Sequence, residues 1–440
     1  MEEGKLITLL SRDDIRLLAR LATDCRMGIY LVGGGVRDLL LGRPSQDLDF
    51  ALDGECVELP RRFAAAAGGT FFWLDQERRH GRVVLGRGGD RVSYDFVPLQ
   101  GGSIEKDLLL RDFTINALAV SLTSAGNGIV DPLGGRDDLQ RGIVRTCSPR
   151  AFADDPVRLV RAFRFAATLG FTLAESTWDE IPANVPLLGN VAAERVRDEL
   201  FRILDVSSSL PFIRQLAATG LLSRIVGAGY CSGGIETSFG RVGKIEQLEG
   251  EVERCFPAEH DRVVAHLERQ AEDGITLRAL LKMSAFIGPV EAEEVAVLAE
   301  KLRLGNRSRL VLQQLCRAEF PVGLLLPSEL QTSRAMYRLF RDESPVGLEL
   351  VLLALADGVV THDVARRFVG YYCHDYDAEG DDLYLTGAAI MILLGTGPGP
   401  HVGAAVARLR DAESRGVVNS KGEAEEFLRK NQLTNPASMG

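Results

Sequence analysis

The chain has 440 residues, 46% of them hydrophobic and 25% charged, the balance of a soluble globular protein with several domains. Lys and Arg number 51 against 61 Asp and Glu, a net charge of −10 that excludes a broad polycationic nucleic-acid binder but leaves room for a local basic groove. Arg outnumbers Lys heavily, but a GC-rich genome gives the same bias, so it carries no functional weight.

Residues 12–27 carry apolar side chains at helical spacing and predict an amphipathic helix. Residues 28–32 are a short β-rich run that ends in Gly33-Gly34-Gly35, and 36–41 read as a helix broken by Gly42-Arg43-Pro44. A second strand follows at 48–52, with Asp47 at its mouth. Residues 57–67 predict a helix, and 71–74, 82–85 and 92–98 predict strands. After Asp131-Pro132-Leu133-Gly134-Gly135 strands become rare. Helical patterns then run at 155–169, 191–204, 209–217, 245–254, 259–270, 277–287, 291–303, 307–318, 328–341 and 346–357, with loops at 227–240 and 371–382. The fold class is therefore α+β, a mixed head followed by a long helical arm.

The seven scattered cysteines include no CxxC pair, which argues against a disulfide framework and a thiolate zinc site. The longest apolar stretches, 351–356 and 388–394, fall well short of the ~20 residues of a membrane span. The acidic N-terminus leads into no signal-peptide core, so a cytoplasmic chain is expected.

The segment Leu31-Val32-Gly33-Gly34-Gly35-Val36-Arg37-Asp38, followed by Asp47-Leu48-Asp49, carries the chemistry. Residues i and i+2 of a strand share a face, so Asp47 and Asp49 project side by side. Two carboxylates so placed can hold a pair of divalent ions ~3.5–4 Å apart, the geometry of phosphoryl or nucleotidyl transfer. Mg²⁺ suits such all-oxygen ligation shared with substrate phosphates. Glycines at a strand-to-helix turn let backbone N–H groups approach an anion, and Arg37 stands one turn into that helix. Taken alone, two strand-edge carboxylates are as readily just solvated; the glycine turn at this distance tips the reading toward function. Asp95 lies in the apolar run Tyr94-Asp95-Phe96-Val97, where it either serves as a general base, orients a metal, or faces water at a strand edge.

This segment resembles the first motif of DNA polymerase β-like nucleotidyltransferases, in the class II branch of tRNA CCA-adding enzymes and bacterial poly(A) polymerases. Four further segments are similar to that branch, in order. They are Arg111–Leu118 with Leu110 where Arg is usual, Asp131–Leu139, Asp154–Arg158 with Arg161 and Arg164-Phe165 (Asp154 standing where Glu is usual), and Ala193–Leu200. Together they span 28–204.

The resemblance implies that Asp47 and Asp49 bind catalytic Mg²⁺ in a two-metal site, with Asp95 as a third catalytic carboxylate. It places Gly33, Gly34, Arg37 and Arg111 against the nucleotide triphosphate or ribose. It further implies that Asp155 and Arg158 read the base edge and that Arg161 and Arg164 extend the nucleotide site. For Asp155 the plainer role is an N-cap ahead of Pro156, and for the arginines a salt bridge to Asp154 or Glu194. Residues 136–164 hold seven Arg against four Asp, a local excess that draws RNA and triphosphate.

The expected organisation is a catalytic head at 1–140, a neck at 141–205, a body at 206–320 and a tRNA-binding tail at 321–440. In the body, 261–266 and 277–290 look like a degenerate HD phosphohydrolase region. His266 matches a first metal ligand there, whereas Ala285-Phe286-Ile287-Gly288-Pro289 stands where a His-Asp pair would follow, so no phosphohydrolase activity is expected. Leu385-Thr386-Gly387 and 395–403 resemble the family's tail, with Ala389 in place of an acidic residue.

The implied activity is template-independent addition of CCA, or only its CC or A part, to tRNA 3′ ends from CTP and ATP. Poly(A) polymerase is the alternative, disfavoured by a short, mixed C-terminus at 421–440. A catalytically silent RNA-binding relative is a third reading. Neither DNA nor a membrane is an expected partner.

Overall fold

The computed structural model describes residues 2–54, 57–87, 90–123, 128–227, 234–317, 333–376, 385–414, 417–418 and 421–430. It divides into two compact units, residues 1–228 and 229–440.

The first unit opens with α1 (Glu2–Leu10), α2 (Asp13–Asp24), β1 (Gly28–Val32), α3 (Gly34–Leu41), β2 (Asp47–Asp53) and α4 (Glu58–Ala67). It continues through β3 (Thr70–Asp75), β4 (His80–Arg87), β5 (Asp90–Pro98), α5 (Ile104–Leu109), a 3-10 turn (Thr114–Asn116), β6 (Ala119–Ser121) and β7 (Ile129–Val130). The strands form one sheet in the order β3-β4-β5-β2-β1-β6-β7. Only β2 and β5 run parallel; the other neighbours are antiparallel.

Alternation decides which face of the sheet does what. Leu48, Phe50 and Leu52 of β2, and Tyr94 and Phe96 of β5, enter a core with Ile15 and Leu18 of α2 and Phe63 of α4. Phe50 stacks on Phe96 with ring centroids 5.4 Å apart, and Phe63 meets Tyr94 edge-on at 5.0 Å. Burying each large apolar side chain is worth about 1.5–3 kcal/mol. A one-residue slip would turn Asp47, Asp49 and Asp95 into that core, so the register is fixed. All three carboxylates are thereby placed on the opposite face.

Between β1 and α3 the chain passes through Gly33 at φ +68°, a conformation that side-chain-bearing residues rarely adopt. The predicted helix at 36–41 accordingly starts earlier, at Gly34, directly after this turn.

The unit continues with α6 (Gly135–Arg141), β8 (Ile143–Val144), α7 (Ala151–Asp154), α8 (Arg158–Leu169), β9 (Thr172–Leu173), α9 (Glu175–Asn184), α10 (Ala193–Leu204), α11 (Leu210–Ala218) and α12 (Leu221–Val226). The helix expected at 155–169 starts three residues later, at Arg158, and Pro156 is the reason. The residue before a proline is driven out of the helical region, and Asp155 is extended at φ −147°, ψ 96°. The division between compact units follows α12, so α11 and α12 belong to the first unit.

The second unit is helical apart from a short hairpin, Gln270–Glu272 with Ile275–Thr276, among the described residues. Helix Leu277–Ile287 is buried along its length and carries Lys282, fully enclosed, 3.1 Å from Glu249 and 3.6 Å from Glu246. Two expected loops are partly helical: Ile235–Gly250 begins inside the first and His362–His374 reaches into the second. Residues 228–233, 318, 328–332 and 377–382 of the predicted segments lie outside the described residues. Thr386 caps Gly387–Leu394 by accepting the Ala389 N–H at 3.2 Å. No helix among the described residues is long and apolar enough to cross a membrane.

Candidate active site

The parallel pairing of β2 with β5 sets Asp49 directly beside Asp95, and Asp47 lies two residues along the same face. Asp47 is exposed and Asp49 half-buried. The Asp49 carboxyl is pushed above its ordinary range by burial first, then by the charge of Asp95; Arg111 opposes the rise, Asp47 adds to it and Arg82 again opposes. Asp95 is held differently. Arg82, its antiparallel partner on β4, donates Nε to Oδ1 at 2.6 Å and Nη2 to Oδ2 at 2.7 Å.

Among the described residues no three His, Cys, Asp or Glu side chains converge to hold a metal. The protein presents Asp47 and Asp49 as an all-oxygen pair at a strand mouth. That donor set fits Mg²⁺, which takes one or two carboxylates and completes its shell with water and substrate phosphates.

The glycine turn faces this pair. A Cβ on Gly33 would lie 3.0 Å from Arg111 Nη1 and 3.8 Å from Asp49 Oδ2, so the backbone comes close to both groups. Arg111 is braced by Asp107, which accepts its Nε at 3.2 Å and Nη2 at 3.0 Å. Helix α3 starts with no side-chain cap, leaving the first-turn N–H groups near Gly34 and Gly35 for an anion. Arg37 is anchored rather than free. Its Nε and Nη2 bind Asp38 at 2.9 Å each, and its Nη1 donates to Asn116 Oδ1 at 2.7 Å. Asn116 in turn donates to Asp112 Oδ1 at 3.0 Å.

The three neck arginines do not form one row. Arg161 and Arg164 share Glu199 of α10, through Nε–Oε1 at 2.7 Å and Nε–Oε2 at 2.8 Å. Neither pairs with Asp154 or Glu194, the carboxylates weighed from the sequence; Asp154 pairs instead with Arg150 at 3.2 Å. Burial pushes Glu199 upward, but the charges of Arg164 and Arg161 outweigh it and hold the carboxyl below its usual range. Arg161 also reaches Asp112 at 3.5 Å, and Arg164 lies over the Phe165 ring, 3.6 Å from its centroid.

Asp155 receives Arg195 in a two-point contact at 3.1 and 2.8 Å. Burial raises its carboxyl, yet Arg195, with Arg161 and Arg158 behind it, leaves it below the ordinary range. Its side chain caps no helix, since α8 begins at Arg158 after Val157. Arg158 donates to the carbonyls of Ala151 at 3.2 Å and Leu110 at 3.1 Å, and its Nε is buried without a hydrogen-bond partner among the described residues. One donor is thus left over beside Asp155.

Arg82, Arg195 and Glu199 are structural partners that spacing along the chain did not indicate. Arg82 heads the apolar run of a predicted strand, and Arg195 and Glu199 lie inside the family-like segment 193–200, but none of the three was given a role there.

In the second unit His266 is buried, with Nε2 2.8 Å from Glu349 Oε1 and Nδ1 3.1 Å from Tyr372 Oη. Both ring nitrogens are engaged inside the fold. Burial pushes the Tyr372 hydroxyl up to about 12.

Residues 29–145 match the Poly A polymerase head domain, and residues 170–226 match the probable RNA and SrmB-binding site of polymerase A. A CC-adding tRNA nucleotidyltransferase of Geobacter sulfurreducens is 42% identical over 440 residues, covering 99% of this chain and all of that one. An A-adding tRNA nucleotidyltransferase of Deinococcus radiodurans is 32% identical, covering 93% of this chain and 97% of its own. Among solved structures, a Thermotoga maritima CCA-adding enzyme complexed with tRNA has a TM-score of 0.64 at 22% identity, covering 97% of this chain and 98% of that one. At that identity the likeness shows the fold.

Proposed function

The chain belongs to the tRNA nucleotidyltransferases, and from that premise we propose that it is a cytoplasmic enzyme that adds the two cytidines of the CCA end to tRNA from CTP, releasing pyrophosphate. The observation that carries the choice of C is the 42% identity, end to end, with a CC-adding enzyme, against 32% with an A-adding one.

The residues have distinct tasks in this reading. Asp47 and Asp49 hold Mg²⁺, which when bound lowers the pKa of the primer 3′-hydroxyl and offsets the charge developing on the α-phosphate. The uncapped first turn of α3 and the Arg111 guanidinium receive the triphosphate. Arg37 braces the glycine turn against Asn116, so that turn keeps its shape when the anion arrives. Asp155 accepts from the exocyclic amino group of the base, and Arg158 donates to the ring acceptor beside it. Arg195 holds Asp155 in place from behind, and Glu199 ties α8 to α10, fixing the angle at which that pair meets the base.

The test uses tRNA transcripts ending at the discriminator base or at CC, and an unrelated oligo(A), each with CTP, ATP or both. The expected result is two C residues added to the first transcript from CTP alone, with the other two unextended. One A added to the CC-ended tRNA would instead mark A addition, and long tails on oligo(A) a poly(A) polymerase.

Exchanging the pair (Asp155→Arg with Arg158→Asp) is expected to lower the CTP-to-ATP preference by on the order of tenfold or more, the scale of one two-point base contact. Single-turnover incorporation of each nucleotide measures it. Equal loss for CTP and ATP would count against base reading.

A further inference from the structure

The face that bears Asp47, Asp49 and Asp95 carries a cation of its own. Arg82 comes from β4, on the far side of β5, and the antiparallel register places it opposite Asp95 as the parallel register places Asp49. The contact is a two-point fork at 2.6 and 2.7 Å, the strongest form of a carboxylate–guanidinium pair. Its side chain is one-third exposed, at the edge of the site. The charge acts beyond its partner: Asp95, Asp47 and Asp49 all reinforce the Arg82 cation, and Arg82 in turn restrains the rise of Asp49. Three carboxylates on one face of a sheet repel one another, and one fixed positive charge relieves part of that repulsion without any bound ion.

We propose that Arg82 is a built-in counter-cation of the carboxylate face, a positioning residue that occupies Asp95 and thereby confines divalent-cation binding to Asp47 and Asp49. This rests on the reading of that pair as the Mg²⁺ site. The arrangement has two consequences. The head folds and stays intact when no divalent cation is bound. Asp95 is withheld as a third ligand, so cation affinity stays modest and the metal exchanges with each nucleotide.

The experiment is Mn²⁺ titration, followed by loss of the free Mn²⁺ electron-spin-resonance signal, on the full chain with CTP present, alongside thermal unfolding in EDTA. Arg82→Ala and the hydrogen-bonding Arg82→Gln remove the charge with different packing, so a folding failure in one leaves the other informative. Both are expected to bind Mn²⁺ on the order of tenfold more tightly than the natural protein, because a nearby positive charge is gone and Asp95 is released. Both should also melt lower in EDTA and recover with Mn²⁺. Adding Asp95→Asn to Arg82→Ala should return the affinity toward its starting value, and Arg82→Lys should stay near it.

Unchanged or weaker Mn²⁺ binding in both charge-removing variants overturns the proposal. Asp49→Asn serves as the control for the underlying reading. If it leaves Mn²⁺ binding unaltered, the metal assignment of Asp47 and Asp49 fails, and the role of Arg82 falls with it. If it removes binding while the Arg82 variants behave as the natural protein does, only the proposal for Arg82 is lost.

Discussion

Replacing Asp49 by asparagine is expected to cut nucleotide incorporation by ~10³-fold or more while raising the thermal midpoint of the metal-free protein. The two halves come from one cause. In the folded chain burial, Asp95 and Asp47 push the Asp49 carboxyl above its ordinary value of 3.8. A carboxyl whose folded pKa exceeds its unfolded one stabilises the fold below the unfolded value and loses that contribution as the pH rises through the folded value. Near neutrality, ionised Asp49 is therefore a cost to folding, which a cation held there as proposed would offset. Asparagine keeps the shape, removes the charge and with it the repulsion. Single-turnover CTP incorporation into a tRNA lacking its CCA end gives the first quantity; thermal unfolding in EDTA gives the second. A variant that lost activity and also melted lower would point to a structural carboxylate instead of a cation ligand.

How much of this could be read in the chain depends on how local each determinant is. The strand at 48–52 and the run at 94–97 alternate apolar and polar residues with period two. Since that period alone sends Leu48, Phe50, Tyr94 and Phe96 inward, the outward set Asp47, Asp49 and Asp95 was legible. The turn at Gly33 was legible for a similar reason, because three glycines between a strand and a helix leave few other conformations. What the chain does not announce is who pairs with whom across long separations. Asp155 meets Arg195, and Arg161 and Arg164 meet Glu199, over 35 to 40 residues of intervening sequence. Those choices are made by the packing of α8 on α10, not by spacing along either helix. Asp154, a carboxylate nearer in sequence to Arg161 and Arg164, is paired with Arg150 instead. The parallel pairing of β2 with β5 is of the same kind: it brings Asp95 to Asp49, and no local pattern distinguishes it from an antiparallel one.

Glu199→Ala is expected to destabilise the first unit by about 3–5 kcal/mol, the cost of leaving a buried charge without its partner. Glu199 is 4% exposed and serves two guanidiniums at once, so its loss strands both. Arg161 keeps only the longer contact to Asp112, and Arg164 keeps only the face of Phe165. Both tryptophans, Trp73 and Trp178, lie in the first unit, and Trp178 packs edge-on against Phe163 of α8 at 6.1 Å. Urea unfolding followed by tryptophan fluorescence therefore reads the affected region without interference from the second unit.

The pH dependence follows from the direction of the shift at Glu199. The arginines hold its folded pKa below the unfolded 4.5, so its stabilisation is complete above 4.5 and is lost as the pH falls below that, through the lower folded value. Glu199→Gln removes the titrating group but retains a hydrogen bond, so its loss should be smaller and its unfolding curve flatter across that acid window. Equal stability of all three proteins at neutral pH would mean that Arg161 and Arg164 find water as good a partner as Glu199. In that case the angle between α8 and α10, and with it the placement of Asp155 and Arg158, would rest on contacts other than this ion-pair cluster.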